Sequence, residues 1–155
     1  MIRDALESEF EFLARLWYDG WQDAHAGILP EALAQYRTRE SFLHRLHAEA
    51  QNLRVAGPPG RPTGMCIAKG DELNQLYVAA TGRGTGLAGM LLSDGEARLR
   101  HNGTRTAWLA CAIGNTRAAR FYEKHDWLLA REEILSLDTP DGPFRLKVWR
   151  YEKAL

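Results

Sequence analysis

Apolar positions along the chain change period, and the changes divide it into segments. Phe10, Leu13, Trp17 and Trp21 recur at helical spacing and make one stripe, with Ser8 placed to cap the helix. A loop around GILP follows. A second helix is predicted over 38–50, capped by Thr38, with Phe42, Leu43 and Leu46 as its buried face. The period then shortens. NLRVAG, TGMCIAKG and ELNQLYVAA are short, partly alternating runs separated by GPPGRPTG and KGDE, which predicts three consecutive antiparallel strands. LAGMLLSDGEARLRH reads as a helix with Leu87, Met90, Leu91 and Leu99 inward. TAWLACAI reads as a fully buried strand, and NTRAARFYEKH as a helix with Ala118, Ala119 and Tyr122 on one face. WLLAREEILSL and FRLKVWRY are two more strands joined by the turn signal DTPDGP. Helices, three strands, helix, strand, helix and a closing hairpin make an α/β (α+β) protein with a mixed sheet.

Composition narrows the function classes. The 155 residues are 45% hydrophobic, which suits one domain over 1–155. Twenty basic residues balance twenty acidic ones, so no global field attracts nucleic acid or a membrane surface. The opening MIRDALESEFEFLARL mixes acids with its apolar residues and reads as neither a signal peptide nor a membrane span. The two cysteines, Cys66 and Cys111, lie in apolar runs outside any CxxC or Cys/His cluster. They read as buried, reduced thiols of a cytoplasmic protein without a metal site.

The chemistry concentrates at residues 82–89, GRGTGLAG. A strand, a glycine-rich turn and a helix make an anion site, because the first helical N–H groups have no partners and the helix dipole adds positive charge. Gly84, Gly86 and Gly89 fit the dinucleotide pattern G-x-G-x-x-G. That pattern needs an acidic residue at the end of the next strand to hold a ribose, and TAWLACAI has none. Only 66 residues follow, and they include a hairpin, so a parallel crossover series does not fit. No G-K-[ST] closes the turn as a P-loop would.

Read from Arg83, the same stretch fits R-x-x-G-x-A through Gly86 and Ala88, five residues after Val78. A second pattern follows: Asn115, Ala118 and Tyr122 in N-x-x-A-x-x-x-Y, then Asp126–Trp127 where Gly–Phe is usual. Together these resemble the two motifs of the GNAT superfamily of N-acetyltransferases, and WQDAHAGILPEAL looks like the helix-loop segment of many members. The resemblance implies a largely antiparallel central sheet of about six to seven strands flanked by about four helices. It implies acetyl-CoA as cosubstrate and direct acetyl transfer to a primary amine of a small molecule or peptide. Leu76, Tyr77 and Val78 would pair with the pantetheine arm. Arg83, Gly84, Thr85, Gly86, Leu87 and Ala88 would hold the pyrophosphate, and Asn115 would bond the pantetheine while capping its helix. Tyr122 would protonate the departing thiolate, whose thiol has a pKa of about 8.5.

The general base is less defined. The strand glutamate of some members is replaced here by Ala110 in Trp108-Leu109-Ala110-Cys111. Glu72, at the start of the cofactor strand, is the chosen alternative, with Asp71 and the loop residue His25 behind it. An α-amino acceptor, pKa about 8, would need little base. Arg117, Arg120 and Lys124 are candidates for a CoA phosphate or a solvated helix face. The acceptor loops at 21–30 and 138–143 carry acids (Asp23, Glu31, Asp138, Asp141), which suits a cationic acceptor. Homodimerisation through the last strands is compatible with the pattern. The missing strand glutamate also suits a second class, a non-catalytic module that binds or senses acyl-CoA.

Overall fold

The computed structural model describes residues 1–155. Seven strands form one sheet: β1 (Ile2–Asp4), β2 (Leu53–Ala56), β3 (Gly64–Lys69), β4 (Glu72–Val78), β5 (Thr106–Ala112), β6 (Leu128–Leu137) and β7 (Phe144–Ala154). Five helices flank it: α1 (Phe10–His25), the four-residue α2 (Glu31–Ala34), α3 (Arg39–Ala48), α4 (Leu87–His101) and α5 (Thr116–Lys124). The sheet order is β1-β2-β3-β4-β5-β7-β6, and only β4 and β5 are parallel.

Two apolar layers sandwich the sheet. Leu13, Trp17, Trp21, Phe42 and Leu46 of α1 and α3 pack on Val55, Met65 and Ile67. Leu91, Leu92 and Leu99 of α4 pack with Cys66, Leu109, Trp127 and Tyr151 on the opposite face. β3 is therefore buried on both sides, and its alternate residues Met65 and Cys66 enter different cores. α4 lies close to the sheet because Gly95 has no side chain; a Cβ there would stand 2.7 Å from Leu73 and 3.1 Å from the Cys66 sulfur.

Several local expectations change. Ser8 does not cap α1. A single 3-10 turn, Glu7–Glu9, precedes that helix, and the buried Glu9 carboxylate takes the N–H groups of Leu6 and Gly60, each at 2.8 Å. Arg3 grips the same carboxylate with two guanidinium nitrogens at 2.9 and 2.7 Å. Met90 faces solvent rather than the core, and its place is taken by Leu92. β5 alternates instead of being fully buried: Ala107, Leu109 and Cys111 point into one core, while Trp108 and Ala110 are half-buried. Thr38 does cap α3, exchanging hydrogen bonds with Ser41 at 3.1 and 3.0 Å.

Candidate active site

β4 and β5 share a single register pair, Glu72↔Trp108. The β3–β4 register then shifts, with Ile67 opposite Gln75 and Ala68 opposite Leu73, so Asn74 is an extra residue on β4. A bulge bends its strand. Here the bend falls just past the last β4–β5 pair, and the two strands diverge into a fork. The edges of β4 and β5 that face each other across it are unpaired, as a strand edge waiting for a partner is.

A cleft of about 620 Å³ fills the fork and is lined from both faces of the sheet. Leu76 and Val78 turn to the α4 and α5 side, and Tyr77 to the α1 side. The carboxy-terminal face adds Arg83, Gly84, Gly86, Leu87, Ala88, Asn115, Phe121 and Tyr122. Gly20, Ala24 and His25 of α1 line the other mouth. Arg83, Arg117 and Lys124 are cations of the lining, and no carboxylate belongs to it.

The loop between β4 and α4 is shaped for an anion. Gly84 and Gly86 hold φ of 75° and 81°, a left-handed conformation that glycine adopts without strain. The first α4 bond runs from the Met90 N–H to the Gly86 carbonyl, so the N–H groups of Leu87, Ala88 and Gly89 have no intrahelical acceptor. Thr85 departs from its expected role. Its hydroxyl bonds the Gly82 carbonyl and its side chain does not line the cleft, so it braces the turn. The Arg83 guanidinium reaches Asp23 of α1 at 2.7 Å, and Arg117 reaches the same carboxylate at 3.1 Å. Asp23 thus straps the loop and α5 to α1 across the cleft mouth.

Asn115 caps α5, its side-chain oxygen accepting the Ala118 N–H at 3.3 Å. This leaves its amide nitrogen free at the cleft. Tyr122, two turns on, packs edge-on against Phe121 and Trp127, and its hydroxyl has no hydrogen-bond partner in the chain. Burial pushes its pKa well above the ordinary phenol range, so it stays protonated. The family's Gly–Phe position is legible in the backbone. Asp126 has φ 70°, and Trp127 is fully buried with its indole N–H on Glu96 at 3.1 Å. The turn keeps its left-handed geometry with aspartate in place of glycine.

Glu72 and His25 separate. Glu72 stands at the closed end of the fork and is absent from the cleft lining. Burial raises its carboxyl pKa, with Asn74 and Lys69 opposing. Asp71 is likewise outside, accepting the Trp108 indole N–H at 3.0 Å. His25 lies in the lining, its ring tilted against Trp21 with centroids 4.9 Å apart, and burial lowers its pKa, so the imidazole is neutral at pH 7. Its buried Nδ1 finds only a poorly aligned contact with the Trp21 carbonyl. Cys111, which the sequence places outside the cofactor motifs, also lines the cleft, but burial pushes its thiol to about 11. Arg120 is exposed and does not line the cleft.

The sequence profile of the Acetyltransferase (GNAT) family matches residues 10–127. The chain belongs to the GNAT family of acetyltransferases. It is 28% identical over 139 residues to a probable N-acetyltransferase of Mycobacterium tuberculosis, covering 81% of this chain and 78% of that protein. Its fold superposes on a GCN5-related N-acetyltransferase of Rhodopseudomonas palustris with a TM-score of 0.78 at 19% identity, covering 100% and 95% of the two chains. It also superposes on YncA of Salmonella typhimurium, solved with acetyl-CoA, at a TM-score of 0.71 and 15% identity, covering 100% and 93%. The fork and the free N–H groups of the loop are thus those of a GNAT fold. Sequence motifs locate the loop, Asn115 and Tyr122. They do not locate Gly20 or Gln75, which line the cleft, and Asp23 is legible only as an acid of an acceptor loop, not as the strap on Arg83 and Arg117; the signal for Gly20 was a glycine inside an otherwise regular helical stripe.

Proposed function

We propose that the chain is one acetyltransferase domain spanning 1–155 that moves an acetyl group from acetyl-CoA directly to a primary amine of a small molecule or peptide, both bound at once. The observation that carries this is the fork itself: a cleft open to both faces of the sheet, with free loop N–H groups at one mouth and α1 at the other. When bound, acetyl-CoA supplies an activated thioester. The chain's residues fit it. The N–H groups of Leu87 and Ala88, the turn of Gly84 and Gly86, and the charge of Arg83 suit a pyrophosphate. The unpaired edge of Leu76–Tyr77–Val78 suits an extended amide-bearing arm, and the free amide of Asn115 adds a donor. Cleft cations without carboxylates match a polyanionic cosubstrate.

Tyr122 donates the proton to the leaving sulfur. A neutral, unpartnered phenol in a low-dielectric wall serves as an acid without competing hydrogen bonds. His25 is the better placed base, since it lines the α1 mouth and is neutral, whereas Glu72 lies outside the lining. The high pKa of the Cys111 thiol favours direct transfer over a cysteine-linked acyl enzyme. The free, buried state of both cysteines supports a cytoplasmic setting, and no helix is long and apolar enough to cross a membrane. β6 is a sheet edge with Leu128, Leu129 and Ile134 exposed, which supports pairing of two chains there.

The carboxylate-free lining also favours a second reading, a module that binds acyl-CoA without turnover. Two measurements separate them. Acetyl-CoA at a hundred times its Kd should stabilise the fold by about 2.7 kcal/mol, while NAD should not. Initial rates against both substrates should give intersecting lines, the pattern of a ternary complex rather than ping-pong. Stabilisation with no release of the CoA thiol in the presence of any amine would favour the module; no stabilisation would refute both.

A further inference from the structure

Two arginines behind the α1 mouth have no anion. Arg37 is 9% exposed, and its guanidinium makes no hydrogen bond or ion pair; burial and distant charges alone act on it. Arg45 is half-buried, with its guanidinium 4.6 Å above the Trp17 ring and 5.7 Å from Phe42, and it also lacks a hydrogen bond. This contrasts with Arg3, Arg98 and Arg150, each of which holds a carboxylate within about 3 Å. Burying an unpaired charge is costly, and burying two side by side adds repulsion. Burial and the Arg37 charge hold Arg45 down at about 10.

The nearby carboxylates are occupied or remote. Glu49 is held by Lys69 at 2.6 Å and Asn52 at 2.8 Å. Glu72 and Asp138 act on Arg45 and Arg37 only through distance. The Tyr77 hydroxyl is the group both arginines share. Tyr77 lines the cleft, and its ring lies 6.4 Å from the Trp17 ring that carries Arg45; both guanidinium charges act on its hydroxyl. The hairpin tip walls this corner, because the Tyr36 hydroxyl donates to Asp141 at 2.5 Å. Of the acids that suggested a cationic acceptor, Asp23 and Asp141 already have partners.

We propose that Arg37 and Arg45, with the Tyr77 hydroxyl, form an anion subsite at the acceptor end of the fork, so that the amine substrate carries a carboxylate or phosphoryl group. This rests on the acetyl-transfer reading above and names its substrate class. The anionic group docks against the guanidiniums, where planar donor forks suit a carboxylate or phosphate. Tyr77 marks the boundary past which the amine enters the fork. An α-amino acid is the simplest acceptor of this kind.

The test pairs acids with their neutral amides. α-Amino acids and the corresponding carboxamides, and phosphoethanolamine and ethanolamine, are compared as acceptors with acetyl-CoA. The anionic member should be preferred by about tenfold or more in kcat/KM, and Arg45→Gln should erase the preference while the acetyl-CoA melting shift stays. Equal or better use of the amides by the parent would overturn the proposal. A second readout needs neither turnover nor a variant: the arginine Nε–H NMR resonances during titration with N-acetylglycine, N-acetylglycinamide and inorganic phosphate. Arg37 and Arg45 should shift with the two anions and not with the amide. Equal shifts with the amide, or none with either anion, would overturn the subsite even where acetyl-CoA binds. Failure of acetyl-CoA binding alone would instead overturn the transferase reading.

Discussion

The two mouths of the fork are built from different materials. The α4 and α5 mouth is made of backbone: free N–H groups, left-handed glycines and a capping asparagine, all within residues 83–115. The α1 mouth is made chiefly of side chains from segments far apart in sequence, Ala24 and His25 of α1 and Tyr77 of β4, with the proposed Arg37 and Arg45 subsite behind Tyr77. Backbone devices bind what is invariant in a cosubstrate. Side-chain devices can be exchanged one at a time without disturbing the fold, which suits a mouth that selects the acceptor. Asp23 joins the two by holding Arg83 and Arg117 from α1.

This contrast can be broken from either side. Gly86→Val should have the largest effect. It forces a β-branched residue into φ 81° and obstructs the N–H cradle, so the acetyl-CoA Kd should rise about a hundredfold. Calorimetric titration would check it, and an unchanged Kd would mean that the loop does not hold the cosubstrate. Gly20→Ala strikes the other mouth. Its Cβ would stand 2.6 Å from Tyr77 Cδ1, so the ring must move. The acceptor KM should rise about tenfold, with acetyl-CoA affinity within about twofold.

A perturbation outside both mouths should spare neither. The bonds from Arg3, Leu6 and Gly60 hold the Glu9 carboxyl at about 2, below its ordinary value near 4.5. A depressed folded pKa gives stability that is present above the unfolded value and lost as the pH falls through the folded one. Unfolding free energy should therefore drop by about 2–3 kcal/mol between pH 4.5 and 2 from this group, and Glu9→Gln should remove most of that slope. Denaturant titration across that range measures it. The smallest effect belongs to Asp126→Gly, which relieves φ 70° and should add about 0.5–1 kcal/mol without changing kinetics.

The same contrast explains what the sequence reveals. Gly86, Asn115 and Tyr122 were legible because a loop-helix junction and a helix face fix function at short, regular spacing. The α4 span and the final hairpin were legible for the same reason. β1 and α2 were missed because three or four residues carry no period. Ser8 was misread as a cap because Glu9, one residue on, captures the amides through a partner, Gly60, that is 51 positions away. Arg37 and Arg45 look like ordinary surface arginines in sequence. Only the fold shows that they are recessed and unpaired.

The most direct test of the central claim is Tyr122→Phe, followed by both turnover and acetyl-CoA binding. The Tyr122 hydroxyl makes no hydrogen bond within the chain, so its loss should leave the fold and the acetyl-CoA melting shift intact. We predict a fall in kcat of about tenfold to a hundredfold with an unchanged Kd. An unchanged kcat would remove Tyr122 as the acid and leave the fork a binding site whose chemistry lies elsewhere.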